Sequence, residues 1–75
     1  MSGQESAGYY CHDGDGERFY GGPYTDLGIA LARAVRASER NHTSVQVTST
    51  QELHPVASVN WSGVLGMALT TIHDQ

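Results

Sequence analysis

The sequence predicts a small α+β domain of the order ββαββ(α), with an antiparallel sheet and a helix packed on one face. Three observations carry this: short aromatic or β-branched runs with a period of two, one long stretch with an apolar period near 3.6, and turn residues between them. With 75 residues there is room for one core, and chains of this size bury only about 60% of the surface that the unfolded chain exposes. Residues 1–75 are therefore read as a single domain, with 1–7 as a flexible amino terminus.

The first hairpin comes from "GYYCHD" (8–13) and "ERFY" (17–20), separated by "GDG". Asp-Gly pairs supply the positive φ that tight hairpins need, because glycine has no Cβ to clash. The second strand is expected to fail at Gly21-Gly22-Pro23, where two flexible residues precede one without a ladder donor. From Thr25 the period lengthens, and Leu27, Ala30, Leu31, Ala34, Val35 and Ala37 fall on one helical face. Thr25 is the expected N-cap, Asp26 suits the positive end of the helix dipole, and Arg40 with Asn41 suits the other. A second hairpin follows in "SVQVTST" and "HPVASVNW", joined at "QELH", with Ala57, Val59 and Trp61 on one face. The tail "SGVLGMALTTIHDQ" has Leu65, Ala68, Leu69 and Ile72 at helical spacing behind Asn60 or Ser62 as cap. Gly63, Gly66 and Thr70-Thr71 weaken that helix, so a strand fits equally.

Charge is segregated along the chain, whose formal net charge is −4. Glu5, Asp13, Asp15, Glu17 and Asp26 face only Arg18 in the first third, whereas Arg33, Arg36 and Arg40 dominate the middle. Overall acidity argues against general nucleic-acid binding, which depends on clustered positive charge. The lone Cys11 fits a reducing setting. The absence of a basic-then-apolar leader and of a long apolar run points to a cytoplasmic chain with no membrane partner.

Each candidate site also has a simpler reading. Counting an EF-hand loop from Asp13 puts Arg18 where glycine belongs and Tyr24 where the bidentate glutamate belongs, so the acidic stretch reads as a hairpin tip. Cys11, His12, His42, His54 and His73 lack paired zinc spacing, and adjacent Cys11 and His12 point to opposite faces of a strand. No metal and no cofactor is expected. Cys11 reads as a small buried hydrophobe, and too little chain remains to build a substrate pocket, so no enzyme is expected. Arg33, Arg36 and Arg40 form a helical stripe that is either a solvated back or a grip for phosphate or carboxylate. Among the aromatic residues, Tyr9 and Tyr10, like Phe19 and Tyr20, must alternate across the sheet, so some face outward.

In layout, "GYYCHDGDGERFYGGPY", "TDLGIALARAVRASER" and "SVQVTSTQELHPVASVNW" resemble two groups. One is a set of small bacterial domains in which two hairpins flank one helix. The other is the anti-CRISPR proteins of phages and mobile elements, likewise tiny, often acidic, non-enzymatic and sheet-plus-helix in form. The resemblance is architectural and transfers no site residue. It implies an inhibitor of a Cas protein in a bacterial cytoplasm. The leading expectation is thus an acidic module that occupies a basic surface of a larger partner through Asp13, Asp15 and Glu17, with Tyr10, Tyr20 and Trp61 as anchors. The alternatives are a regulatory nucleic-acid binder using Arg33, Arg36 and Arg40, and a homodimer paired through sheet edges.

Overall fold

The computed structural model describes residues 8–14, 18–51 and 54–73. They form β1 (Tyr9–Asp13), β2 (Phe19–Tyr24), α1 (Leu27–Asn41), β3 (Val45–Ser49), β4 (Pro55–Ser62) and β5 (Met67–Ile72). The strands make one antiparallel sheet in the order β2-β1-β3-β4-β5, and α1 lies across one face. The α+β architecture with its helix on one side of an antiparallel sheet is as the sequence predicts.

The core follows from alternation. Cys11, Val45, Val47, Ala57 and Val59 point from the three central strands toward the helix, where Ala30 and Ala34 meet them. None of these side chains is larger than valine, so helix and sheet lie close together. The opposite face carries Tyr10, His12, Gln46, Thr48, Ser58, Leu69 and Thr71 and is covered by no described element. The adjacent Cys11 and His12 separate as expected: the thiol donates to Ala30 O on the helix side (3.3 Å), while His12 Nε2 pairs with Thr48 Oγ1 on the open side (2.6 Å).

Three local expectations change. First, Asp26, not Thr25, caps α1: its backbone is extended, its Oδ2 accepts the Ile29 amide, its carbonyl accepts the Ala30 amide, and a carboxylate there also suits the helix dipole. Second, β2 does not stop at Gly21-Gly22-Pro23 but runs through to Tyr24, which pairs with Tyr9. An edge strand needs ladder bonds on one side only, so a proline is tolerated there. Gly22 has φ +124°, and a Cβ at that position would sit 2.7 Å from Tyr9 O, so this passage is available only to glycine. Third, the tail is a strand. Ser62 does cap a turn, accepting the Leu65 amide, but Gly66 at φ +68° reverses the chain into β5, where Thr70 and Thr71 suit a pleated strand better than a helix.

Candidate anion-binding site

α1 positions the arginines. Its buried stripe of Ala30, Ala34 and Ser38 fixes the rotation of the helix, and spacings of three and four then bring Arg33, Arg36 and Arg40 along one exposed flank. That flank is not simply a solvated back. The edge strand β2 runs beside it, and Tyr20 and Tyr24 turn toward the helix to pack at the margin of the core. Together Tyr20, Tyr24, Arg33, Arg36, Arg40 and Asn41 line a cleft of about 210 Å³. A second, more open depression of about 370 Å³ is lined by Ile29, Ala32, Arg33 and Arg36.

Arg18 completes the arrangement from the strand side. Its guanidinium carbon lies 5.7 Å from the centre of the Tyr20 ring, within range of a cation–π contact. Tyr20 thus has Arg18 against its ring and shares a cleft with Arg33, Arg36 and Arg40, in a protein with twice as many carboxylates as arginines. Among the described residues, no ion pair engages Arg33, Arg36 or Arg40. Glu39, the nearest acid in sequence, does not neutralise them by direct contact.

The size of the cleft limits what enters. Pockets for whole small molecules usually span about 300–1,000 Å³, so 210 Å³ takes a phosphate, a carboxylate or one planar ring and leaves the rest of the ligand outside. An extended anion could place one group here and reach the 370 Å³ depression across Arg33 and Arg36 with another. No group of three His, Cys, Asp or Glu side chains able to hold a metal occurs among the described residues, and the groove itself repels cations. Cys11 is buried, and burial pushes its thiol above the ordinary value, which disfavours the thiolate that nucleophilic chemistry needs.

Of the residues expected to form an acidic, aromatic surface, Tyr10, Tyr20 and Trp61 lie in three different settings. Asp13 ends β1, is half-buried, and its backbone amide donates to Arg18 O. Asp15 and Glu17 lie outside the described residues. Tyr10 is on the open face, where its ring meets Phe19 at 5.7 Å; Tyr20 is on the helix face in the arginine groove; and Trp61 stacks on His42 beyond the end of α1. The arginine stripe was visible from spacing alone, but its tyrosine wall was not. Tyr24 belongs to a stretch where the strand was expected to have ended. No helix among the described residues is long and apolar enough to cross a membrane.

No family model, curated protein or solved structure matches the chain.

Proposed function

We propose that the chain binds single-stranded nucleic acid along the Arg33–Arg36–Arg40 groove, weakly and with little sequence preference. The observation that carries this reading is the cleft that Arg33, Arg36 and Arg40 line together with Tyr20 and Tyr24, with Arg18 against the Tyr20 ring from the strand side. Sequence-tolerant strand binders combine a positive groove that tracks phosphates with aromatic faces on which bases stack. Arginine suits both tasks, since it forks onto phosphate oxygens and stacks on planar rings. A duplex presents its bases edge-on inside the grooves and offers no face to Tyr20 or Tyr24, which favours the single strand. The net charge of −4 confines attraction to this flank and keeps affinity modest.

The test is fluorescence anisotropy with a labelled oligothymidine and a duplex of equal length over a salt series. With four cations involved, the logarithm of affinity should fall with the logarithm of salt at a slope of about −3 or shallower. Each of Arg33→Gln, Arg36→Gln and Arg40→Gln should reduce that slope by about 0.7, and Tyr20→Leu should weaken binding with little change in slope. An absence of binding at low salt, or binding unaffected by the three arginine changes together, overturns the proposal.

A second reading has one specific support: Phe19, two residues after Glu17 in the sequence, is 60% exposed and its ring lies 5.7 Å from that of Tyr10. An exposed apolar anchor in an acidic stretch of sequence suits docking onto a basic protein surface, as an anti-CRISPR would dock onto a Cas protein. The two readings respond oppositely to mutation. Asp13→Asn with Asp15→Asn and Glu17→Gln should abolish capture of a basic partner, yet leave or strengthen strand binding at the groove.

A further inference from the structure

The two edges of the sheet differ. The β2 edge is irregular: it carries Gly21, Gly22 and Pro23, and its register against β1 shifts twice. Such features protect an edge from pairing with other strands. The β5 edge has none of them. It pairs with β4 in unbroken register from Ala57↔Ile72 to Ser62↔Met67, contains no proline, and has its outer backbone groups facing no described strand. Residues 54–73 include no Asp, Glu, Lys or Arg.

Apolar burial is also incomplete on this side. The seven buried core residues are all valine or smaller, whereas Val64, Leu65, Met67, Leu69 and Ile72 are exposed on β5 and the turn before it. Of the large hydrophobic residues exposed among the described residues, only Phe19 and Ile29 lie elsewhere. Scattered exposed apolar residues are ordinary, but a cluster of them along an uncharged open edge marks a surface meant to be covered. A chain of 75 residues with so small a core has the stability problem that oligomerisation commonly relieves.

We infer that two copies of this chain pair antiparallel through β5, forming one ten-stranded sheet. A second copy is the occupant that these features select. An uncharged strand meets itself without like-charge repulsion, and antiparallel pairing of identical edges is closed by a single two-fold axis. That axis must stand perpendicular to the sheet, because it reverses strand direction while keeping faces aligned. Both α1 helices therefore lie on the same side. The two β2 strands, each beside its arginine groove, end at the outer margins about 40 Å apart at ordinary strand spacing. The blunted β2 edges stop further growth, so the assembly closes at two. The dimer rests on observations separate from the groove, and its failure would leave the strand-binding reading intact.

Sedimentation equilibrium on the full chain over a concentration series tests this. The expected result is a reversible monomer–dimer system, shifted to monomer by Thr71→Lys and by Leu69→Lys, which place like charges across the new strand pair. Thr71 is exposed and polar, so its replacement should preserve the far-ultraviolet circular dichroism of the fold even where Leu69→Lys does not. Phe19→Lys, at the other edge, should leave the dimer unchanged. A wild-type chain that stays monomeric throughout, polymers in place of a dimer, a dimer that survives Thr71→Lys in a folded protein, or one dissolved by Phe19→Lys each overturns the inference.

Discussion

The imidazole of His42 lies face to face with the indole of Trp61, with ring centroids 4.5 Å apart and planes 14° from parallel. His42 is also the C-cap of α1 in the left-handed conformation (φ 53°), and its amide donates to Ser38 O. One residue thus ends the helix and fastens that end to β4. The two roles can be separated. Glycine keeps the left-handed backbone without strain but loses the ring, whereas alanine loses the ring and retains the backbone cost of about 1 kcal/mol. His42→Ala should therefore destabilise by about 1 kcal/mol, and His42→Gly should be near neutral. Both should alter Trp61 fluorescence in the native state. Urea unfolding followed by that fluorescence gives both numbers.

Ser38 is fully buried on α1, and its hydroxyl has no hydrogen-bond partner among the described residues. A buried polar group left unpaired costs about 1–3 kcal/mol, and alanine is also the better helix former. Ser38→Ala is expected to stabilise the fold by about 1 kcal/mol, raising the melting temperature by about 4–8 °C for a domain of this size. Differential scanning calorimetry measures it; a lower melting temperature would contradict the account of this site.

Cys11 predicts a pH effect. Burial raises its thiol above the ordinary value of 9.0, so the native state holds the proton more tightly than the unfolded chain does. Its contribution is fully present below 9.0 and is lost as the pH climbs from there toward the raised native value. Denaturation midpoints should fall over that alkaline window. Cys11→Ser, which keeps a donor for Ala30 O but does not titrate, should remove the cysteine share of the fall. In the folded wild type, thiol reagents should react only as fast as the protein opens.

Gly22→Ala should be among the more damaging single changes. The position combines φ +124° with a close approach to Tyr9 O, and strain of this kind costs about 1–3 kcal/mol before the clash is added. Because β2 carries both tyrosines of the groove, the same change should weaken strand binding even at temperatures where the protein remains folded. Chemical denaturation and the anisotropy assay, run on one preparation, separate the two effects.

What could be read from the sequence was local. The apolar stripe from Leu27 to Ala37, the alternation of Val45 and Val47, and the opposed directions of Cys11 and His12 depend only on period, and each holds in the structure. Gly21-Gly22-Pro23 was misread as the end of a strand because its tolerance depends on lying at an edge, which is a property of the whole sheet. In the tail, the capping serine was real: Ser62 receives the Leu65 amide, but the helix it announces is cancelled four residues later at Gly66. The arginine spacing was legible, yet its significance depends on Tyr20 and Tyr24, which the sheet order brings alongside the helix from an earlier part of the chain. The expectation for Asp15 and Glu17 lies outside the described residues.

The smallness of Ala30 and Ala34 reaches beyond the core they fill. These two methyl groups set how closely the helix settles on the sheet, and that separation also fixes the width of the gap between the helix flank and the neighbouring tyrosines. Enlarging either one would act as a wedge, costing about 1–3 kcal/mol in overpacking while prising open a mouth that the arginines and tyrosines now bracket from both sides. Gauge and grip are therefore set by the same two positions, and a change made deep beneath the surface would be felt first by whatever the surface holds.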